Sequence, residues 1–364
     1  MQNQFKLGTR EILAIILISL GTKFTDVTPD LLFAETYMAS WMVPLIAGSI
    51  VFLPLFLFVK LINKYKLSLV DLNVRLTGKY VGNIINLILF AFSLIGTALM
   101  LSNYSDILMT LYFPQTPKLV LHFVLTLVCL LVAYGGAYMV GRTAWIVLPY
   151  IKLALLVLII LTLSEELNLS YLFPFFGTGI DVVLKESFLQ NSIYIELILF
   201  AALIPYVRDS KNYSKAVLWG LWVVALEMSI FYFFYIIVFD AYSLKNMLLP
   251  FQHLARAVEL GRFISNFEGY FLAFWIVGSI VKFATYFFIT TTIFTQTIKK
   301  VKFTKIYIIP IAAVIFVIGI IPETIVHAAF SYRQMSLYVG SYIFVTLPII
   351  LWILSFRKKA SVAS

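Results

Sequence analysis

Seven charged residues lie inside stretches of this chain that are otherwise apolar. At the depth of a bilayer a charged side chain costs at least ~2.5–3.5 kcal/mol on insertion scales, so it normally faces a protein interior or a water-filled cavity and has a partner. The near balance of positive and negative groups would allow pairing across a helical bundle. The alternative, above all for Asp106 and Glu227, is hydration near a helix end. The set comprises Lys23, Asp26, Asp106, Lys152, Glu196, Glu227 and Lys282.

The first apolar stretch is interrupted by the segment GTKFTDVTP, residues 21–29. A glycine, three threonines, two charges and a proline argue against a continuous helix at this depth. Irregular backbone inside a membrane is tolerated only where it is buried in protein or lines a cavity, and transporters use such discontinuous helices to present free backbone groups to a solute. The alternative is that the helix ends near Gly21 and an exposed loop follows.

Two further patterns point to the interior of a bundle. The sixth stretch contains Glu196 and then Pro205, which predicts a second broken or kinked helix. Glu268, Trp275 and Lys282 are spaced seven residues apart in the eighth stretch, which keeps them on one helical face with a slow drift. Breaks in the first and sixth of ten helices are what a five-plus-five inverted repeat predicts.

The elements that must position these residues are membrane helices. About ten apolar stretches are long enough to cross a bilayer, including the uncharged runs 36–59, 80–105, 119–141 and 334–356. With 62% hydrophobic residues, the composition excludes a water-soluble core. We therefore predict an all-α integral membrane protein in which residues 1–364 form one transmembrane domain. The connection 240–266 is either an amphipathic helix on the outer surface or a solvated loop.

Lysine and arginine predict the orientation. Most of them fall in alternate connections, which places the clusters Lys60–Lys66, Lys299–Lys305 and Arg357–Lys359 on one side together with both termini. This bias is expected when both termini are cytoplasmic and the number of crossings is even. The net charge of +10 also favours anionic lipid. Short basic clusters in loops, with no recognition module around them, argue against nucleic-acid binding.

Several other classes of protein are disfavoured. The three histidines, His122, His253 and His327, lack metal-ligand spacing, so we expect no metal. Phosphate-binding glycine loops, nucleophile elbows and obvious catalytic carboxylate pairs are missing from the sequence, so we expect neither an enzyme nor a cofactor. The lone Cys129 lies in an apolar run and excludes an intrachain disulfide. Lys6 and Arg10 precede an apolar stretch without a small-residue cleavage site, which predicts a first helix and no cleaved signal.

Several segments together resemble a known family. YLFPFFGTGI (171–180) is similar to the segment Leu-Arg-Pro-x-x-Gly-x-Gly that members of this family carry before their sixth helix. FEGYFLAFWIVG (267–278) is similar to the Phe-Glu-x-x-x-x-x-x-Trp start of their eighth helix. YVGSYIFVTLPIILWILSFRKK (338–359) is similar to the family's last helix, and Thr116-Pro117 matches a Thr-Pro pair that follows its third helix. Over nearly its whole length the chain resembles the B subunits of spore germinant receptors, the endospore germination permeases of the amino acid–polyamine–organocation transporter superfamily.

The resemblance implies a leucine-transporter-like bundle with a small-nutrient site between helices 1, 3, 6 and 8. It also implies the spore inner membrane, A-type and lipoprotein C-type partner subunits, and a germinant, commonly an amino acid, that shifts a conformational equilibrium. The family's second glycine at the helix 1 break is replaced here by Lys23. The family's helix 6 often carries a glutamate six residues before a proline; in this chain Leu199 holds that position, and Glu196 lies nine residues before Pro205. Asp106 falls where relatives carry an acid toward the outer end.

The ligand contacts expected on this basis come from both breaks and from helix 3. Gly21, Thr22 and Lys23 would contact the germinant, Phe92 and Phe200 would form apolar walls, and Glu196 would accept an ammonium group.

The rival function is a proton-coupled amino-acid permease. Burial makes the charged form of a lysine costly, so Lys152 or Lys282 could exchange a proton, although a structural ion pair of either lysine with Glu227 or Asp106 remains open. A third interpretation is a scaffold with a vestigial pocket.

Overall fold

The computed structural model describes residues 6–164, 167–257, 267–322 and 331–360, with the side chains of 267, 268, 270 and 358–360 excepted. Nearly all of the backbone in these ranges is helical. The one extended contact among them is an isolated parallel bridge between Leu7 and Val207. It ties the chain before the first helix to the segment that follows the sixth crossing.

Fifteen α-helices follow one another in the described ranges. They are α1 (Thr9–Ser19), α2 (Thr28–Thr36), α3 (Val43–Tyr65), α4 (Leu69–Thr77), α5 (Lys79–Ile107), α6 (Lys118–Tyr134), α7 (Gly136–Thr162), α8 (Ile180–Leu189), α9 (Glu196–Leu199), α10 (Ser210–Phe239), α11 (Ala241–Asn246), α12 (Pro250–Ala257), α13 (Phe267–Thr297), α14 (Thr304–Ile320) and α15 (Gln334–Ala360).

These helices supply the predicted membrane crossings. Among the described residues, seven helical segments are long and apolar enough to span a membrane, and the bent pair Ile180–Leu189 and Asn191–Tyr206 brings the number to eight. The shorter apolar helix α6 and the interrupted first helix complete a set of about ten. The expected boundaries shift in places: α3 begins at Val43, and the predicted run 119–141 is divided between α6 and α7.

The first crossing is broken where its composition predicts. Helix α1 ends at Ser19, Lys23–Thr25 form a single 3₁₀ turn, and α2 starts at Thr28 with Pro29 in its first turn. Proline is tolerated there because the amide it lacks would have no intrahelical acceptor. Asp26 fixes the restart, because its Oδ1 accepts hydrogen bonds from Thr28 N at 2.9 Å and Thr28 Oγ1 at 2.6 Å.

The sixth crossing is broken as well, with a bend of 45° between α8 and the segment Asn191–Tyr206. A 3₁₀ turn over Asn191–Tyr194 separates α8 from α9, and a second 3₁₀ segment, Phe200–Tyr206, contains Pro205. Helix α15 holds this break in place: Ser341 Oγ accepts from Ser192 N at 3.0 Å and donates to Leu189 O at 2.7 Å. Both breaks in the described structure therefore have side chains that satisfy their free backbone groups.

Helix α1 lies in the middle of the bundle, packed against α7, α10 and α13. Most of its side chains are buried, whereas α6, α7 and α14 present long rows of apolar side chains outward, including Leu131, Ile146 and Val317. Outward apolar rows and an inward polar set are the reverse of a soluble protein and fit a bundle surrounded by lipid. The interrupted first helix thus places its charges at the protein centre.

The connection after α10 begins with two short helices, and the second of them packs one face onto the bundle. Helices α11 and α12 cover its first part, and Phe251, Gln252 and Leu254 of α12 are buried. Gln252 Nε2 donates to Thr25 O in the helix 1 break at 2.9 Å. The second part of this connection lies outside the described residues. Helix α12 therefore packs directly against the helix 1 break.

Candidate functional site

Lys23 joins the two helix breaks. Its Nζ donates to Ile193 O at 2.5 Å and lies 2.8 Å from Glu196 Oε2 and 2.7 Å from Glu196 Oε1. The lysine is 2% exposed and the glutamate 8% exposed. One ammonium group therefore neutralises the acid of the sixth crossing and also satisfies a carbonyl that the 3₁₀ turn leaves free.

Tyr286 of α13 extends this contact to a third element. Its hydroxyl lies 3.1 Å from Ser19 O at the end of α1 and 3.2 Å from Glu196 Oε1. The ends of both interrupted helices and the middle of α13 thus meet at one buried carboxylate. A displacement of α1 relative to α9 would change every one of these contacts.

A second buried cluster surrounds Asp26. Its Oδ2 lies 3.3 Å from Lys282 Nζ, and its Oδ1 lies 3.6 Å from Arg333 Nη2. Lys282 also donates to Tyr104 OH at 2.9 Å, and its ammonium stands 4.7 Å from the centroid of the Tyr104 ring. Arg333 donates to Thr28 Oγ1 at 2.6 Å. Helices α2, α5 and α13 and the residue before α15 are joined here.

The helical face that carries Trp275 and Lys282 points into the bundle, as the spacing of seven predicts. Trp275 Nε1 donates to Thr25 Oγ1 at 2.9 Å, and its ring stacks on Tyr104 at 4.7 Å with an interplanar angle of 2°. Lys282 is fully buried. The third member of the predicted stripe, Glu268, has its side chain outside the described residues.

A narrow cleft runs along both sides of Glu196. One part has a cavity volume of about 40 Å³ and the other about 50 Å³. Both are lined by Phe92, Gly96, Met100, Ile195 and Glu196; Phe200 and Tyr286 line the first, and Lys23 and Arg333 the second. The structure therefore brings four predicted site residues, Lys23, Phe92, Glu196 and Phe200, to the same cleft.

The other two predicted ligand contacts lie elsewhere. Thr22 lines a separate cavity with Ile151 and Trp275, and its hydroxyl donates to Ile18 O at 2.8 Å. Gly21 packs against α10: a Cβ there would stand 2.2 Å from Leu17 O and 2.8 Å from Glu227 Oε2. The absence of a side chain at residue 21 thus allows a close approach of α1 to Glu227, and this glycine does not line the cleft.

The four residues considered for proton coupling belong to three separate ion pairs. Lys152 Nζ pairs with Glu227 Oε1 between α7 and α10, Lys282 pairs with Asp26, and Asp106 pairs with Lys118 at 2.8 Å. Glu227 lies in the middle of α10 and Asp106 in the last turn of α5. The partner of Lys152 is thus one of the two expected, whereas Lys282 takes neither Glu227 nor Asp106.

Sequence reasoning missed three members of the central clusters. Arg333 directly precedes the apolar run 334–356, which predicts a position in the loop before the last helix, yet it is 5% exposed. Tyr104 and Tyr286 are single tyrosines among many in apolar helices. A signal existed for Arg333, because a lone cation directly before an apolar run can fold back into the bundle. For Tyr104 and Tyr286 the sequence contains no comparable signal.

A family model described as "Spore germination protein" matches residues 9–328. This chain belongs to the spore germination protein family. The match spans both helix breaks and every cleft-lining helix except α15, which begins after residue 328. The expectation drawn from the resemblance is thereby confirmed at the level of the family.

Curated members of this family are distant relatives. Spore germination protein XB of Bacillus anthracis is 22% identical over 68% of this chain and 70% of its own length. Spore germination protein YndE of Bacillus subtilis is 23% identical over 88% of this chain and 87% of its own length. The likeness thus extends along most of both relatives.

The fold of this spore germination family member is that of a transporter. A Na⁺-coupled sialic acid symporter, solved in a substrate-bound outward-open state, superposes with a TM-score of 0.61 at 11% identity, covering 96% of this chain and 78% of the symporter. At this identity the likeness concerns the fold alone. It confirms the predicted leucine-transporter-like bundle, and the fold and family are those of receptors or transporters instead of enzymes.

Proposed function

We propose that this chain is the membrane-embedded B subunit of a spore germinant receptor. It binds a small nutrient, an amino acid, in the cleft beside Glu196 and signals by a change of conformation. The observation that carries the proposal is the contact of Lys23 with Ile193 and Glu196, which joins the two helix breaks at the cleft wall. Family membership supports the role in germination.

The cleft geometry supports a ligand-dependent conformational change. Cavities of about 40 and 50 Å³ are far smaller than the ~300–1,000 Å³ of typical ligand pockets. A nutrient therefore enlarges the cleft when it binds, and the walls that separate belong to the interrupted helices. A ligand shifts such an equilibrium only by its difference in affinity for the two arrangements. The contacts of Lys23 are the ones that this enlargement alters first.

Each proposed ligand contact has a distinct role. Lys23 and Glu196 provide the polar end of the site, and Phe92 and Phe200 provide apolar walls. Because both oxygens of Glu196 are already near the ammonium of Lys23, a ligand amine reaches the acid only by displacing the lysine. Gly21 and Thr22 act indirectly, through the position of the break that carries Lys23.

The proposed setting follows from the charges at the ends of the helices. Both termini lie in the cytoplasm, and the membrane is the inner membrane of the spore. The basic connections support this orientation by the positive-inside rule, and relatives named as spore germination proteins support the compartment. A-type and C-type receptor subunits are the proposed partners that respond to the conformational change.

The test is germination of spores that carry Lys23→Met together with Glu196→Gln. Neutralising both partners removes the contact between the breaks without leaving a buried charge unpaired. We expect the nutrient concentration for half-maximal germination to rise at least roughly 10-fold, the scale of a lost charged hydrogen bond. The assay uses a panel of amino acids, sugars and nucleosides, with immunodetection of the protein in the spore membrane.

The matched control is Asp106→Asn together with Lys118→Gln, which neutralises an ion pair at the end of α5. Germination of the control should equal that of wild-type spores. A normal nutrient response of the Lys23/Glu196 variant would contradict the proposed site. A strain without this chain that responds normally to every nutrient would contradict the receptor role itself.

One observation favours a proton-coupled amino-acid permease as the second candidate. Lys152 and Glu227 form an ion pair against Gly21, at the point where α1 approaches α10. A proton moving between such partners would alter the packing of the interrupted helix. Uptake of labelled amino acids by proteoliposomes, driven by an imposed proton gradient, separates the permease from the receptor, and uptake abolished by Lys152→Gln would favour the permease.

A further inference from the structure

The part of the cleft next to α15 contains an excess of positive charge. Its polar lining includes Lys23, Glu196 and Arg333. Arg333 and Lys282 are both joined to Asp26, and Lys23 is joined to Glu196. These contacts connect three cations to two carboxylates within one buried region. A further buried carboxylate, Asp30, accepts from Leu249 N, and among the described residues no salt bridge joins it to these cations. One formal positive charge is therefore left without a carboxylate partner in this set.

Arg333 has a donor that remains unused. Its contacts with Thr28 Oγ1 and with Asp26 are both made by Nη2. Its Nε is buried and has no hydrogen-bond partner among the described residues. A buried guanidinium donor without an acceptor is costly, so such a group is normally paired. A ligand oxygen entering the cleft would supply the acceptor that the protein does not.

Glu196, in contrast, offers little to a ligand cation. Lys23 Nζ lies 2.7 and 2.8 Å from its two oxygens, and Tyr286 OH lies 3.2 Å from one of them. The ammonium of Lys23 thus occupies the position that a ligand amine would take beside this acid. Recognition of an amine at this position would require the ion pair to break.

The remaining walls decide what accompanies the negative charge. Phe92, Leu99, Met100, Ile195 and Leu337 surround the same cavity with apolar side chains. A bare inorganic anion would leave these walls without contact. A carboxylate on a short apolar group matches both the surplus cation and the apolar lining.

We propose that the ligand of this cleft is recognised as a small apolar carboxylate, held by Arg333 and Lys23, and that a ligand amine is not required. The inference rests on the proposed function, because it specifies the nutrient class of the same cleft. It assigns recognition to the two cations that line the cleft together with Glu196, and no longer to Glu196 itself.

The experiment uses the purified full chain in lipid nanodiscs and measures ligand binding by calorimetry. The probes are matched sets with one carbon skeleton each: propionate, propionamide and propylamine; isovalerate, isovaleramide and isoamylamine; phenylacetate, phenylacetamide and phenethylamine. Sodium chloride at equal ionic strength tests a simple anion. We expect at least one carboxylate to bind roughly 10-fold or more tightly than its own amide and amine, and chloride not to compete with it.

Variants assign the binding to the named cations. Arg333→Gln should weaken binding of that carboxylate roughly 10- to 100-fold, and Arg333→Lys, which keeps the charge, should retain part of the affinity. Lys300→Gln removes an exposed cation outside the cleft and should leave the affinity unchanged. Elution as a single monodisperse species confirms that each variant is folded.

Three outcomes would overturn the inference. One is that no carboxylate in the series binds more tightly than its amide and amine. The second is competition by chloride at equal concentration, which would indicate a general anion site. The third is full carboxylate affinity in folded Arg333→Gln. Each is distinguishable from failure of the receptor role, which is read from spore germination and not from binding to the purified chain.

Discussion

At the scale of single residues, the central feature is a lysine at a position where a helix is interrupted. Lys23 is almost completely buried, and a buried charge is stable only with a partner. Glu196 and Ile193 O supply that partner from the sixth crossing. The cost of burying the ammonium thereby becomes a constraint on the relative positions of the two breaks.

This constraint predicts a non-additive pair of substitutions. Lys23→Met alone leaves the Glu196 carboxylate buried without its cation, and removal of one partner of a buried pair typically costs about 3–5 kcal/mol. Adding Glu196→Gln should recover a large part of the loss. Thermal unfolding of the purified variants measures both changes. A double variant destabilised by the sum of the losses of Lys23→Met alone and Glu196→Gln alone would show that the pair contributes no coupling.

At the scale of elements, α15 acts as a support for the sixth crossing. Ser341 contacts both Ser192 N and Leu189 O, and Ser192 Oγ donates to Leu337 O at 2.5 Å. Gly340 permits this approach, since a Cβ there would stand 2.7 Å from Phe92 and 2.9 Å from Ser192 Cβ. The last helix therefore fixes the shape of the break and one wall of the cleft together.

We predict that Ser341→Ala destabilises the protein by about 1–3 kcal/mol, because it leaves buried backbone groups of the break without a partner. The matched control is Ser49→Ala. Ser49 is exposed, and its hydroxyl donates to Leu45 O within its own helix. A lower unfolding temperature for Ser341→Ala and an unchanged one for Ser49→Ala would support the role of α15. Equal unfolding temperatures for the two variants would contradict it.

At the scale of the whole molecule, the orientation in the membrane determines which side of the cleft meets the nutrient. Lys245 in α11 and Lys300 after α13 are both exposed. Because α13 spans the membrane between them, the orientation that puts Lys299–Lys305 in the cytoplasm puts Lys245 on the outer side. Helix α12 follows α11 directly and contacts the helix 1 break through Gln252, and Arg333 contacts the same break through Asp26 and Thr28. In the proposed orientation, the carboxylate-binding end of the cleft is therefore the end nearer the outer surface.

Cysteine labelling tests this arrangement. In a Cys129→Ala background, Lys245→Cys should react with a membrane-impermeant maleimide added to intact cells that express the protein. Lys300→Cys should react only after permeabilisation. The reverse pattern would show that the termini lie outside. Cys129 is buried, so its replacement serves to remove residual labelling and leaves the surface unchanged.

Much of this fold could be predicted from the order of residues. The membrane helices and the break at residues 21–29 follow from local composition, because a bilayer imposes the same length and polarity on every helix that spans it. The meeting of Lys23 with Glu196 was not local. The two residues are 173 positions apart, and the sequence identified each as a buried charge without indicating its partner.

The sequence by itself thus determined which residues must be hidden from lipid, since hydrophobicity and charge act on each segment separately. Only the tertiary structure decided how those charges are paired and which of them line the cleft. Gly21 and Thr22, which the sequence groups with Lys23, face other neighbours, and Arg333, which the sequence places in a loop, lies in the cluster. Pairing depends on distances between helices, and the packing of the whole bundle sets those distances.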